Sequence, residues 1–476
     1  MVLVLILLPS GKNTIKVIGL VLLITLESCE NKRIMCPIYL LSVHFMTNWF
    51  PKWRPFTDDI DARPVGTTEY LPPVQSIMLG VQHAFAMFGA TVLAPLLMGF
   101  DPNLAVLMSG ICTLLFFCLT GGRIPSYLGS SFAFIGVVIA ATGFSGAGGI
   151  NANIGLAAGG IIACGLLYML CGFLVMATGT RWIEKLMPPV VTGSVVMIIG
   201  LHLAPATVKN VAGDVFNMWM SLVTILCMGV IAVFTKGMLQ RLLLLVGLIL
   251  SYIVYFIATN VMGYGTAINF LPVQQAAWFG VPTFHAPVFS TNAILIIAPV
   301  ALILVAENLG HIKAVGAMTG ENLDPHIGKA FVADGVATTL AGGVGAPGMT
   351  TYGENIGVMA VTRVYSTIIF AIAGVFAIFL GLSPKFGAII QTIPTAILTG
   401  ASIVVFGLIT LAGAKIWIEH RVDFSTNKNL MVAAVAIILG TGDFALQFGD
   451  FNLGGIGTAT LAAIFLNWLF GLADKK

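Results

Sequence analysis

The stretch GAPGMTTYGENIGVMA, Gly345 to Ala360, decides how this chain must be read. Apolar sequence flanks it on both sides, yet its centre is polar and carries a carboxylate, Glu354. Glycine and proline crowd its start, where a helix should be running. Non-helical backbone at membrane depth is tolerated only when buried in protein or lining a cavity. Such a break leaves N–H groups free, and a ligand can use them.

The surroundings of that stretch are those of a bilayer protein. The 476 residues are 58% hydrophobic and 9% charged, whereas a soluble domain carries roughly a quarter charged residues. Apolar runs of bilayer length recur from about Ile77 to the C-terminus and number about fourteen. The reading is an all-α polytopic membrane protein. Of seven cysteines, Cys112, Cys118, Cys164, Cys171 and Cys227 fall in predicted spans without metal-ligand spacing, and Cys29 and Cys36 lie upstream. They read as small apolar fillers. No disulfide framework and no nucleic-acid module is visible.

Lysine and arginine set the orientation. None occurs from Leu242 to Ile312, so the connection at about 263–290 is expected outside. Working outward, Arg123, Arg181, Lys185, Lys236, Arg241, Lys313, Lys329, Arg363, Lys415, Arg421 and Lys428 all fall on one side, with Lys52, Arg54 and Arg63. Lys209 and Lys385 fall on the other. Both termini of the bundle are therefore expected in the cytoplasm. Residues 1–45 do not fit this scheme. Val17–Leu26 is an apolar run too short to span, and the segment reads as an over-extended start or a disordered lead without function. Met46 opens MTNWFPKWRPF, a beginning suited to a short amphipathic cytoplasmic segment over 46–73.

An internal repeat organises the rest. SSFAFIGVV at Ser130 resembles TTYGENIGVM at Thr350, and TGSVVMIIGL at Thr192 aligns with TGASIVVFGL at Thr399. Seven spans between equivalent points make the halves antiparallel across the membrane. The first repeat is expected over 74–262 and the second over 291–476, joined by the external connection. Inverted repeats with matching Gly/Pro-interrupted segments point to a secondary transporter whose site lies where the broken segments meet.

Ionisable residues at membrane depth need a reason, because a central carboxylate costs at least about 2.5 kcal/mol. They cluster in the second half: Glu307 and His311 in AENLGH, Asp334 in FVADG, and Glu354. Glu307 and His311 are one helical turn apart and share a face. Asp334 reads either as a ligand or as a brace behind the ligands. His83, beside Gln82, reads either as part of the site or as a packing histidine, and His202 as interfacial. No Walker A lysine motif, HExxH or CxxC pair appears, so an enzyme or primary pump lacks its engine. Membrane carboxylates with a histidine are the parts of a proton relay.

QHAFAMFGATVLAP, PSYLGSSFAF, AENLGH and TTYGENIGVMAVTRVYS resemble the nucleobase–ascorbate transporter family, also called nucleobase:cation symporter-2, and within it the uracil permeases. The resemblance covers about Leu71 to the C-terminus. It implies fourteen spans in two inverted sets of seven. Spans 1–4 and 8–11 form a core domain and 5–7 and 12–14 a gate domain, with short strands in spans 3 and 10. It further implies dimerisation through the gate domains. Carried over residue by residue, Glu307 and Glu354 match the substrate-binding carboxylates. Phe132, Tyr352 and Gly353 match the strand residues around the base, and Ala90 and His83 belong to the lining of span 1. His311 matches the histidine of proton coupling. Asp334 departs from the Asn that uracil permeases can carry, which leaves a xanthine- or urate-like preference open.

The expectation is thus a proton-coupled importer of uracil or a related pyrimidine in the bacterial inner membrane. It takes protons as coupling ion and has no cofactor or metal. A purine permease of the same family, and a nucleobase-gated channel or sensor, are the rivals. Uracil is edged by N–H donors and C=O acceptors, so carboxylates and free backbone N–H groups can pair with every edge. Aromatic faces at Phe132 and Tyr352 can cover its ring.

Overall fold

The computed structural model describes residues 3–9, 15–22, 49–144, 149–448 and 451–472. Eight helices among them are long and apolar enough to cross a membrane. The chain begins with an antiparallel hairpin of β1 (Leu3–Pro9) and β2 (Ile15–Leu22). Apolar, β-branched runs of this length suit strands. Met46, read above as an alternative beginning, lies outside the described residues.

Residues 49–72 form a strap. Its β3 (Arg54–Pro55) pairs in parallel with β4 (Glu69–Tyr70). Trp53 is fully buried, stacks on Phe117 and donates from Nε1 to Thr367 Oγ1 at 3.0 Å. Val65 exchanges backbone hydrogen bonds with Arg363 and Tyr365, and Thr67 Oγ1 donates to Glu321.

The first half then runs through α1 (Pro73–Met98), α2 (Pro102–Leu119), β5 (Leu128–Ser130), α3 (Phe134–Thr142), α4 (Ile154–Thr178), α5 (Pro189–Lys209), α6 (Val215–Phe234) and α7 (Leu243–Phe256). Proline sits in the first turn of α1, α2 and α5, where its missing N–H is no loss. Gly99, at φ 73°, ends α1 in the left-handed conformation. Asp101 then caps α2 by accepting from Asn103 N at 2.9 Å.

The second half begins with a short helix, Thr291–Ile297, running into α8 (Val300–Thr319). After it come α9 (Ile327–Gly343), β6 (Met349–Thr351), α10 (Gly353–Thr362) and α11 (Thr367–Gly381). A short helix, Pro384–Gln391, turns off α11 at 79°. The half closes with α12 (Thr395–Glu419), α13 (Asn427–Thr441) and α14 (Gly455–Phe470).

Small residues set the helix contacts, as they do where lipid supplies no hydrophobic drive between helices. On α4 and α9, Gly165 and Gly335 face each other so closely that a Cβ on Gly165 would lie 2.7 Å from Gly335 O. α2 and α11 meet in the same way at Gly110 and Gly374, and α5 and α12 at Gly193 and Gly413. Burial is uneven. The apolar window of α2 is 78% buried, while those of α6 and α7 are 28% buried and present large apolar side chains outward.

Candidate functional site

The two interrupted segments meet as strands. β5 and β6 pair antiparallel, Leu128 opposite Thr351, Gly129 opposite Thr350 and Ser130 opposite Met349. Backbone bonds from Ser131 N to Gly348 O (3.0 Å) and from Tyr352 N to Tyr127 O (2.9 Å) extend the ladder. Each strand's first residue is held by a threonine from the helix before it. Thr113 Oγ1 of α2 accepts from Leu128 N at 2.9 Å, and Thr338 Oγ1 of α9 donates to Met349 O at 3.0 Å. A two-strand sheet this short is marginal alone, so burial and these hydroxyls keep it in register.

Beyond the strands the chain returns to helix, so α3 and α10 both start at the sheet. Each helix N-terminus carries about half a positive charge. At α3 the N–H groups of Ala133, Phe134 and Ile135 are taken by Ser131 and Phe132, whereas at α10 those of Gly353 and Asn355 have no backbone partner among the described residues. Glu354 stands in the first turn of α10, where that dipole favours a carboxylate. Glu307, on α8, lies within electrostatic reach of Glu354. Both side chains are half-buried, and neither is in an ion pair among the described residues. Two half-buried carboxylates without an ion-pair partner are set out for hydrogen-bond donors.

His311 lies against the same place. An added Cβ on Gly353 would be 3.3 Å from its Nε2, a contact that would crowd that nitrogen. Its Nδ1 meets Thr351 Oγ1 at 2.9 Å, and Thr351 Oγ1 donates to Asn308 Oδ1 at 2.5 Å. Asn308 Nδ2 donates to the Tyr168 hydroxyl at 2.5 Å, and that hydroxyl lies 3.3 Å from both Asp334 Oδ2 and Leu304 O. Asp334 is fully buried, and its Oδ1 has no partner among the described residues. Asp334 therefore stands behind the site, joined to it by a chain of side chains.

The remaining expected residues divide. Phe132 is half-buried at the turn between β5 and α3. Ala90 is fully buried on α1, beside Thr91. The Tyr352 ring is 4% exposed and packs over Gly129, whose added Cβ would lie 2.4 Å from it. Its hydroxyl accepts from Thr91 at 3.0 Å and donates to Ser130 O at 2.9 Å. Tyr352 thus ties the sheet to α1, and what it offers the site is backbone. His83 is buried against Phe370, and Asn355 Nδ2 reaches both its Nδ1 and its carbonyl at 3.0 Å. It braces α10 onto α1 next to Glu354, and none of its bonds reaches Glu307, His311 or Asp334. Asn308, Tyr168, Thr351 and Asn355 were not singled out from sequence. Asn308 and Thr351 lie inside the quoted motifs, whereas Tyr168 sits unmarked in an apolar run.

A bundle broken at paired strands around two carboxylates and a histidine, with helix N-termini aimed between them, is the build of a membrane permease rather than an enzyme. The chain matches the permease-family model whose name joins xanthine and uracil over residues 74–448, and it belongs to that family. Among relatives it is 62% identical over 420 residues to RutG of Escherichia coli K12, provisionally named a pyrimidine permease, covering 88% of this chain and 95% of that one. It is 40% identical over 427 residues to a uracil permease of Paenibacillus larvae, covering 87% and 98%. Two solved structures share the fold. The transmembrane domain of the cyanobacterial bicarbonate transporter BicA matches with TM-score 0.55 at 16% identity over 83% of this chain and 97% of that one. The murine anion transporter Slc26a9, inward-facing, matches with TM-score 0.64 at 10% identity over 94% and 74%.

Proposed function

We propose that the chain is a proton-coupled secondary transporter that imports a nucleobase, uracil or a related pyrimidine first, across the bacterial inner membrane. The observation that carries this is the pair of half-buried carboxylates, Glu307 and Glu354, at the meeting of β5, β6 and α8. Carboxylates accept from the ring N–H groups of a base, while backbone N–H groups at the start of α10 donate to its carbonyls. Phe132 lies at the edge of this space, and Gly353 keeps it open toward His311. The names of the relatives point to the same substrate class. Asp334, on which a purine preference would rest, reaches the site only through Tyr168 and Asn308, and this keeps the pyrimidine reading ahead of a xanthine- or urate-type permease.

The helices α1–α7 and α8–α14 are read as fourteen segments in two inverted sets. The antiparallel pairing of β5 with β6 supports the inversion, as do the matched threonine clamps at Thr113 and Thr338. So do the contacts, since a two-fold relation turns the α4–α9 pair into the α11–α2 pair. α1–α4 and α8–α11 then form the core, and α5–α7 and α12–α14 the gate, whose exposed apolar faces suit lipid and a second copy. Lys329 stacks on Trp49, Lys313 pairs with Glu184, and Arg363 Nη1 donates to Asp61 O, so strap and basic loops share one end. Lys385 stacks on Trp278 at the other. This supports cytoplasmic termini.

Uptake of labelled uracil into proteoliposomes, with and without an inward proton gradient, tests the reading. Gradient-driven accumulation abolished by a protonophore is expected. Equilibration without accumulation would favour a nucleobase-gated channel, and binding without flux a sensor.

A further inference from the structure

Tyr168, Asn308 and Thr351 form a chain in which each donor and acceptor role is fixed by its neighbour. When Asp334 is a carboxylate it can only accept, and so can the Leu304 carbonyl. The single proton of Tyr168 must then point toward them, and its oxygen must accept from Asn308 Nδ2. Asn308 therefore turns its oxygen to Thr351, whose proton is spent on it. The hydroxyl oxygen of Thr351 is left to accept from His311 Nδ1–H. The imidazole is held with its proton on Nδ1, the less favoured tautomer of a free histidine, and Nε2 is a bare acceptor beside Gly353.

Protonation of Asp334 reverses the logic. A carboxylic acid can donate to the Tyr168 oxygen, freeing the tyrosine proton to turn toward Asn308. The amide then flips, Thr351 donates to His311 Nδ1, and the ring proton moves to Nε2. We propose that Tyr168, Asn308 and Thr351 report the protonation state of Asp334 to His311 as a choice of tautomer, switching Nε2 between acceptor and donor on the substrate side. No proton travels the chain, because an amide does not relay one. Hydroxyls rotate and Asn308 flips; His311 gains a proton at Nε2 from the site and releases the one on Nδ1 to the site when its bond to Thr351 breaks, so one proton enters the ring and one leaves. The acid proton sits on Oδ2, which faces the Tyr168 hydroxyl, while the orphaned, fully buried Oδ1 lacks the donor that a lasting carboxylate would need.

The groups facing these two ends are few. Around Asp334 stand Tyr168 of α4, Cys112 of α2 and Glu307 of α8, and β6 contributes no titratable side chain. Around His311 stand Glu307 on its own helix and Glu354 on α10, while Lys313 is exposed and paired with Glu184. The proposal deepens the transporter reading in naming how the site senses a proton. It is tested without transport.

The experiment uses the full chain in lipid nanodiscs with ¹⁵N-labelled histidine. His311 is assigned by loss of its signals in His311→Gln, and the ring shifts are followed from high to low pH. The wild type should show protonated Nδ1 and bare Nε2 at high pH, then pass to protonated Nε2 as the pH falls. Tyr168→Phe should show the Nε2–H form throughout the neutral range with no pH-linked exchange. Thr351→Val should do the same, while Thr351→Ser, which restores the hydroxyl, should restore the wild-type response. Direct passage of wild-type His311 to the doubly protonated ring, or an unchanged response in both Tyr168→Phe and Thr351→Val, overturns the proposal. Uracil binding to the same samples reads the transporter hypothesis separately: loss of binding in the wild type sinks that reading and leaves the tautomer result standing.

Discussion

Glu354 occupies the position with the narrowest chemical tolerance, one residue past the glycine that keeps His311 Nε2 open. Glu354→Gln preserves shape but swaps an acceptor for a donor facing the ligand's N–H. The lost charge-assisted hydrogen bond and the mismatch should cost roughly 2–4 kcal/mol of binding, on the order of thirtyfold or more in affinity. Equilibrium binding to protein that is monodisperse in detergent checks this, and unchanged affinity would remove Glu354 from the site. Glu307 and His311 should separate binding from coupling. Glu307→Gln should lose binding, whereas His311→Ala should bind and exchange base yet accumulate it poorly against a gradient, with a flattened pH dependence. Counterflow and proton-driven uptake measured side by side decide it, and wild-type accumulation by His311→Ala would move the relay elsewhere. These three residues were legible because a charge or imidazole is conspicuous in apolar sequence. Asn308 and Tyr168 were not. Neutral polar side chains in a span read like any other helix lining, and their bond joins positions 140 residues apart.

The element that sequence reading undervalued is the strap. Its stretch of Pro, Asp and Thr has no helical or strand period, so nothing local announces that Trp53 is a core residue or that Val65 pairs with the backbone after α10. A chain beginning at Met46 should still transport, because the strap's contacts start at Trp49. Trp53→Ala, by contrast, should destabilise the protein by about 3–5 kcal/mol, read as a lowered melting temperature in detergent. Equal melting of the two would show that the indole is dispensable. Acid should loosen the same element. The Arg63 guanidinium, through direct hydrogen bonds, holds the Glu69 carboxyl below its ordinary range. A carboxyl lowered on folding adds stability above its unfolded value, and that contribution fades as the pH falls through the lowered one. The pair is largely exposed, so the effect is small. It should appear as increased protease access to residues 57–68 well below pH 4, and equal access from neutral pH downward would discount it. The backbone break, in contrast, was legible from the Gly/Pro run, whereas the strands were implied only by the family resemblance and their residue-by-residue register came with the fold.

At the scale of the whole molecule, the basic-residue asymmetry and the internal repeat are what the proposed topology rests on, because both can be read without knowing any contact. The contacts themselves lay beyond reach. Gly165 and Gly335, or Gly110 and Gly374, are ordinary small residues in sequence until the fold brings their backbones together. The orientation is open to labelling: single cysteines at Lys329 and Lys385 should react with impermeant reagents from opposite faces, Lys385 from outside the cell. Reaction of both from one face would break the topology. The strap also has a history within each molecule. Trp53 and its seat at Thr367 are 314 positions apart in the chain. At roughly 5–20 residues per second, a ribosome needs on the order of 15–60 seconds between making the one and making the other. In the proposed topology the indole waits in the cytosol through that interval while helix after helix enters the bilayer, and its part of the core closes only once Thr367 has been made. A bulky domain fused ahead of Met46 should therefore slow maturation rather than insertion, and lengthening the linker between them should restore the pace.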